Sequence, residues 1–423
     1  MRDERECALR LAFSIRVGKE IIAWGEAPMA HLDAPNRERN RSFPYFSAVS
    51  ILLCALLILA LGYKPFRDQL VRLEYWTSDF RMVLLADRTE VLHPKIVIVT
   101  FNNETFGGQP RTPIPRDFHA DVISAIDSMN PKAIGLDFYF LQEQSQEADE
   151  KFATALQKAR AEVVVGAVDE TATQFEPSQF AYQENFLNKT GRKTGYINLM
   201  FDTGSVVRFT QPPTESSKYQ KSFAYQLASI GRAIPAPIAR GSSSIRIAWL
   251  VGPDFDERPF VSIPAHKVLA ARNEKSTTDV MKAIEDAIVL TGIDFPYMDQ
   301  HETPLTAWTG NPMKGVIIHA NVIAQLMDGR YFHELTHLSR TLFLLAVGSV
   351  GVILSWLFWR RTIDVSGIGF AAAGFVLVDA FTFSVLRTSL PLVFAIYVWF
   401  TAVTLGHHAK TLIWWTRQAP ARS

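Results

Sequence analysis

Residues 95–100, KIVIVT, form a short β-branched run that opens the pattern deciding the fold. Such a run, preceded by Pro94, predicts a buried strand. Apolar residues at helical spacing follow over residues 115–129. Two more apolar runs, AIGLDFYF at residues 133–140 and EVVVGAV at residues 162–168, enclose a second helical pattern. Nearly continuous apolar strands that alternate with helices predict an α/β domain whose mainly parallel sheet is covered on both faces.

The predicted domain ends in a segment that carries a histidine. Residues 287–292, AIVLTG, predict another buried strand. The stretch KGVIIHANVIAQLMDG at residues 314–329 then predicts a last short strand over residues 316–318, followed by a last helix that stops at Gly329. His319 stands where that strand meets that helix, so it is placed either for packing or for contact with a ligand.

Four apolar runs are long enough to cross a bilayer as helices. The first is predicted to be an uncleaved anchor, because some 45 residues precede it and no small-residue cleavage site follows it. The four predicted transmembrane helices, one N-terminal and three C-terminal, cover residues 46–63, 341–359, 363–386 and 390–406.

Basic residues flank these runs mainly on one side. Arginines precede the first run, Arg360 and Arg361 separate the second from the third, and Lys410 follows the fourth. The positive-inside rule therefore predicts a cytoplasmic N-terminal tail (residues 1–45) and a cytoplasmic C-terminal tail (residues 407–423). Residues 64–340 are predicted to form a periplasmic domain of a multi-pass protein in a bacterial inner membrane.

Composition excludes several classes of protein. The formal net charge of +1 gives no basic face for nucleic acid. The two cysteines lie outside the periplasmic segment, so this domain is predicted to fold without disulfides, as its size permits. We find no Cys/His spacing typical of a zinc site and expect no metal or cofactor.

Ligands of open α/β sheets bind beyond the carboxyl ends of the strands. Five residues at such positions are candidates for ligand binding: Arg116, His119, Asp137, Asp294 and His319. Arg116 opens a predicted helix, and an arginine beside a helix N-terminus favours anions. Two structural alternatives stay open: Asp137 and Arg116 form an ion pair, and His319 only packs or bonds to a neighbouring loop.

The segments HADVI, from His119, and HANVI, from His319, share four of five residues. Two helix starts of this kind either converge on one site or reuse a good helix opening. Because the surrounding residues do not extend the match, reuse is the preferred interpretation.

Asp379 lies within the third predicted membrane helix, in GFVLVDAFTF. An intramembrane carboxylate is a candidate functional residue. The alternative is that it is protonated, or hydrogen-bonded to Thr382 or to a neighbouring helix.

The order of several segments resembles the CHASE2 family of extracellular sensory domains from bacterial membrane receptors. The matching segments are SDFRMVLLADRTEVLHPKIVIVTFNNETF, TPIPRDFHADVISAI, PKAIGLDFYF, the run from AIVLTG to MDG, and the three closing spans. Together they cover roughly residues 74–406. The resemblance implies a sensor whose ligand is not established. One departure is Thr112-Pro113-Ile114, where many members carry tryptophans.

Family members normally continue into a cytoplasmic cyclase or kinase domain, whereas only residues 407–423 follow the last predicted span. We therefore expect a stand-alone sensor or interaction subunit in the lipid bilayer. It would bind an unknown small-molecule or protein signal and act through a separate cytoplasmic or membrane signalling partner; a homodimer is compatible with the sequence. The alternative is an extracytoplasmic enzyme with an acidic site at the strand ends, although we find no catalytic motif. A transporter role would rest on Asp379 alone.

Overall fold

The structure is a computed structural model that describes residues 43–418 except for short internal gaps. The gaps are residues 170–171, 173, 203, 212–217, 232–243, 255–257, 275–277 and 358–360. Almost all of the predicted N-terminal tail, and the end of the C-terminal tail, lie outside the described residues.

The strands are short, and most belong to one sheet. In chain order they are β1 (Asp87–Arg88), β2 (Ile96–Phe101), β3 (Ala133–Leu136), β4 (Glu162–Ala167), β5 (Lys193–Tyr196), β6 (Met200–Phe201), β7 (Val207–Thr210), β8 (Ile245–Arg246), β9 (Leu250–Val251), β10 (Val261–Pro264), β11 (Ile288–Ile293), β12 (Gln300–His301), β13 (Met313–Lys314), β14 (His333–Glu334) and β15 (Thr388–Ser389).

The helices include both the layers that cover the sheet and the apolar helices at the chain ends. In chain order they are α1 (Phe43–Ala60), α2 (Lys64–Leu84), α3 (Arg116–Asp127), α4 (Gln146–Lys158), α5 (Pro177–Thr190), α6 (Phe223–Gly231), α7 (Ala265–Glu274), α8 (Thr278–Ile284), α9 (Thr306–Thr309), α10 (Gly315–Asp328), α11 (His337–Leu357), α12 (Arg361–Ser384) and α13 (Leu392–Gln418).

The central sheet has six parallel strands in the order β10-β2-β11-β3-β4-β5. Successive strand residues point to opposite faces, so each strand supplies two cores. Ile96 and Leu290 pack on one face with α6 and α10, whereas Val97 and Val289 pack on the other face with α3, α4 and α7. The predicted α/β fold with a mainly parallel sheet is confirmed.

Two segments that the sequence predicts as strands differ from the prediction: one forms a shorter strand and the other forms part of a helix. Only Ala133–Leu136 of residues 133–140 pair with neighbours, because Asp137 begins the loop that leaves the sheet. The predicted last strand at residues 316–318 is wrong, because these residues form the first turn of α10. Thirteen of the 14 residues of α10 are buried, and a helix buried on all sides shows an apolar run that periodicity alone cannot distinguish from a strand.

The helix α10 packs unusually close to the sheet. A Cβ placed on Gly292 of β11 would lie 2.6 Å from Val316 Cβ, so only glycine allows this approach. Two buried amides fix the other side of the helix: Asn321 accepts a hydrogen bond from Leu250 N at 2.9 Å, and Gln325 accepts one from Ala248 N at 2.8 Å. Gln325 also donates to Arg246 O at 2.9 Å.

Among the described residues, two helices are long and apolar enough to cross a membrane: His337–Leu357 and the segment Leu392–Ile413 of α13. A third candidate is the pair Ser47–Ala60 and Lys64–Leu84, which is bent by 82°. The apolar part of α12, Phe370–Ser384, is shorter. The count of four spans therefore stays a prediction.

The sheet domain meets the apolar helices through a set of polar contacts, which we call the junction: Glu74, Arg81, Asp87, Asp379 and Arg387. Glu74 of α2 accepts hydrogen bonds from Leu392 N at 3.0 Å and from Val393 N at 2.8 Å, which caps the start of α13. Arg387 donates to Asp87 at 2.6 Å. Beside these contacts, β14 pairs in parallel with β15.

Candidate functional site

A buried acid and a buried histidine face each other at the carboxyl end of the sheet. Asp137 directly follows β3, and its backbone N–H donates to Thr291 O at 2.9 Å, which fixes its position beside β11. His319 lies on the second turn of α10. Its Nε2 is 3.6 Å from Asp137 Oδ1, and the two side chains are 7% and 8% exposed.

A second acid–histidine pair lies next to the first. His301 Nε2 is 2.8 Å from Asp299 Oδ1, and Asp299 Oδ2 accepts a hydrogen bond at 3.0 Å from Gly315 N, the first residue of α10. A carboxylate at a helix N-terminus interacts favourably with the helix dipole. We call Asp137, Asp299, His301 and His319 the acid–histidine cluster.

The surroundings of the cluster shift the pKa values of its two acids in opposite directions. Burial, reinforced by the charge of Asp299, raises the pKa of Asp137 well above its usual value. Burial opposes ionisation of Asp299 too, but the hydrogen bond and charge of His301 lower its pKa. Burial also lowers the pKa of His319 to about 4. Burial thus favours the protonated form of Asp137 and the neutral form of His319, whereas the contacts of Asp299 favour its ionised form.

The space at His319 is small. The Phe223 ring approaches the imidazole edge-on with centroids 5.4 Å apart. A cavity of about 10 Å³ lies beside it, lined by residues including Tyr196, Asn198 and Ser222. This volume holds about one water molecule. Any larger ligand has to displace part of the wall, so the described site is a packed polar cluster rather than an open cleft.

His119 lies apart from this cluster. The helix that carries it, α3, packs against the opposite face of the sheet from α10. Aromatic rings surround it, with Phe138 at 4.7 Å and Phe101 at 5.1 Å between centroids. Burial, followed by the nearby charge of Arg116, lowers its pKa to about 3. The two histidines of the repeated segments therefore do not share one site.

Arg116 pairs with Asp149 rather than with Asp137. Its Nε donates to Asp149 Oδ1 at 3.1 Å, and its guanidinium stacks over the Phe140 ring at 4.2 Å. The alternative of an Arg116–Asp137 ion pair is wrong, because Asp137 faces His319 on the other side of the sheet.

The remaining candidates occupy the rim and the junction. Asp294 accepts a hydrogen bond at 2.9 Å from Arg258, whose side chain is 42% exposed. Asp379 forms an ion pair with Arg81 of α2, and the Thr382 hydroxyl donates to the Asp379 backbone carbonyl rather than to its carboxylate.

Sequence reasoning missed two members of the cluster, Asp299 and His301. Asp299 lies in the loop that leads from β11 to β12, and His301 lies in β12. The signal that could have found them is the acid and histidine in DQHET, residues 299–303, between the last buried strand and α10. Among the described residues, no group of histidine, cysteine, aspartate and glutamate side chains is arranged to hold a metal ion.

The described structure thus joins a parallel α/β sheet, which has polar residues at its strand ends, to apolar helices that are candidate membrane spans. The model of the CHASE2 domain family matches residues 50–359. The chain belongs to the CHASE2 domain family, which is a family of sensory extracellular domains. Comparison with curated proteins and with solved structures found no match.

Proposed function

We propose that the chain is a membrane-anchored extracytoplasmic sensor that receives a signal at the acid–histidine cluster and acts through a separate partner protein. The observation that carries this proposal is the course of α10. This helix begins at the cluster, where Gly315 N bonds to Asp299, and ends at Asp328, with four residues between it and β14. In β14, His333 N donates to the backbone carbonyl of Arg387, a residue of the junction, at 2.7 Å.

The helix α10 is suited to transmit a displacement. Its 14 residues span about 21 Å at 1.5 Å per residue. Because it is buried and tied to the neighbouring strands by Asn321 and Gln325, a shift at its start would reach its end rather than dissipate in solvent. Beyond it, the Phe332 ring packs against Phe383 of α12 in a tilted arrangement with centroids 4.7 Å apart.

The loop over the cluster supports a role in receiving the signal. Tyr297 and Asp299 adopt positive φ values of 61° and 49°, which residues other than glycine rarely adopt. The Tyr297 side chain is 93% exposed. Strained residues gather at ligand-binding and switch regions. A small-molecule or protein signal that contacts this loop would change the position of Asp299, and therefore the start of α10.

The membrane arrangement of this proposal follows the sequence. Four spans place both tails in the bacterial cytoplasm and the sheet domain in the periplasm. The lipid bilayer of the inner membrane is thus the first partner, and a homodimer fits the same arrangement. Nucleic acid, a metal and a cofactor have no place in it.

We favour a non-catalytic role over the alternative of an extracytoplasmic enzyme. The cavity beside His319 holds about one water molecule, which is too small for a substrate. Turnover by the purified chain that Asp137→Asn abolishes would reverse this preference.

The partner would meet the outer surface of the membrane helices. The apolar side chains of α12 that point outward include Leu377, which is 71% exposed, and Phe381, which is 57% exposed. A photo-crosslinking residue at Leu377 in host membranes is expected to capture one signalling protein reproducibly. The same residue at Phe383, which is 1% exposed, is the matched control. Adducts to lipid or to the chain alone under several growth conditions would contradict the partner.

A further inference from the structure

The outer surface of α2 carries an apolar stripe that the sensory role does not explain. Leu73, Trp76, Phe80 and Leu84 follow one another at spacings of three and four residues, so they share one face of the helix. They are 51%, 64%, 47% and 51% exposed, respectively. The Trp76 and Phe80 rings stack with centroids 6.3 Å apart.

The height of the stripe relative to the membrane helices follows from two residues of α2 that are adjacent to it in the sequence. Glu74 and Arg81 each stand one residue after a stripe residue, so they lie roughly 100° further around the helix. Glu74 caps the start of α13, and Arg81 pairs with Asp379, five residues before the end of α12. The stripe is therefore level with the ends of the membrane helices.

The direction of α2 gives the same level. The helix follows α1 after three residues and is bent from it by 82°. If α1 crosses the bilayer, α2 runs almost along the membrane surface. The opposite face of α2, with Ser78 and Met82, is buried against the sheet domain.

We infer that the stripe of α2 inserts into the outer leaflet of the lipid bilayer, so that α2 is an interfacial helix beneath the sensory domain. Tryptophan and phenylalanine are the residues expected at the boundary between headgroups and acyl chains. The exposed side chains of Lys64, Arg67 and Arg72 on the same helix complement the phosphate groups of phospholipids. This inference rests on the proposed membrane insertion of α1.

Spin labels on the full chain in lipid nanodiscs test the inference. With Cys7 and Cys54 replaced by serine, single labels are placed by Phe80→Cys on the stripe, by Leu53→Cys on α1 and by Glu150→Cys on exposed α4. The Phe80 label is expected to collide several-fold more with oxygen, which concentrates in lipid, than with a water-soluble nickel chelate, relative to the label at position 150.

The control labels separate the possible failures. A lipid-like result at position 53 with a water-like result at position 80 overturns the inference and leaves the membrane span intact. A water-like result at both positions overturns the proposed span as well. Spin–spin broadening at position 80 that disappears on dilution with unlabelled chain assigns the stripe to a second copy and also overturns the inference.

Discussion

Arg81 of α2 and Asp379 of α12 form a buried ion pair that joins the base of the sheet domain to an apolar helix, although 298 positions separate them. Their side chains are 8% and 2% exposed. The carboxylate that the sequence marks within an apolar run thus has a specific partner. Glu74 also caps the start of α13, so two apolar helices attach to α2.

Removing Asp379 leaves the buried Arg81 guanidinium with Glu74, at 3.5 Å, as its remaining acidic neighbour. We expect Asp379→Ala to reduce the free energy of unfolding by up to about 3–5 kcal/mol. The double variant Arg81→Met, Asp379→Leu is expected to recover only part of this loss, because it removes both charges of the pair but leaves Glu74 without Arg81. Thermal unfolding of the full chain in nanodiscs measures the difference. Thr382→Ala, which removes a hydroxyl bonded only to a backbone carbonyl, is the control; a loss as large as that of Asp379→Ala would contradict the assignment.

Gln325 satisfies two buried backbone groups, Ala248 N and Arg246 O, at 2.8 and 2.9 Å. Because each orphaned buried group costs about 1–3 kcal/mol, Gln325→Leu is expected to lower the free energy of unfolding by roughly 2–6 kcal/mol. The matched control is Gln157→Leu at an exposed position of α4. The Gln157 amide donates to Lys189 O at the surface. Equal effects of the two variants in thermal unfolding would show that α10 is not held by this amide.

His119 should make the protein less stable in acid. Its pKa is lowered from 6.5 to about 3 in the folded state, so the unfolded chain binds a proton that the folded chain does not. The resulting stability is complete above pH 6.5 and is lost as the pH falls towards 3. By about pH 4.5 the loss amounts to roughly 2–3 kcal/mol, at about 1.4 kcal/mol per pH unit.

His119→Leu, which fits the surrounding aromatic cluster, is therefore expected to unfold with a weaker dependence on pH between 6.5 and 4.5 than the original chain. His333→Leu, at an exposed position, is the control. An unchanged pH profile in His119→Leu would mean that this histidine is not held neutral by burial.

Asp137 should have the opposite dependence. Its folded pKa is raised above the usual 3.8, so the folded chain holds a proton that the unfolded chain releases. Its contribution to stability is present below pH 3.8 and is lost as the pH rises towards the raised value. Asp137→Asn keeps the shape but cannot ionise. Its unfolding temperature relative to the original chain is expected to rise from pH 4 to pH 8; a constant difference would show that Asp137 is ionised when folded.

The parallel sheet was predictable because its strands are buried on both faces, so that runs such as IVIVTF are visible without homologues. The same burial misled the prediction at residues 316–318, where a fully buried helix has no polar face to reveal its period. His319 and Asp137 were predicted as neighbours of the strand ends, and the structure brings them together.

The other contacts depend on long-range geometry. Arg116 can pair only with an acid on its own side of the sheet. The sequence does not show locally on which side Asp137 and Asp149 lie. Asp299 and His301 do not directly follow an apolar run, so the expectation that ligands bind at strand ends does not select them. Nothing in the sequence around Arg81 indicates a partner, because its acid Asp379 lies on the distant helix α12.

The most direct test of the account follows a change at the cluster to the junction. Hydrogen–deuterium exchange is measured on the full chain in nanodiscs for Asp299→Asn, which removes the carboxylate that accepts a hydrogen bond from Gly315 N at the start of α10. Asp294→Asn, at the same edge of the sheet, is the control. We predict faster exchange in Asp299→Asn along α10 and in β14 and β15, with β4 as protected as before; Asp294→Asn should leave these elements unchanged. Faster exchange confined to the strand ends, with α10 and the junction unaffected, would contradict the transmission of a signal along α10.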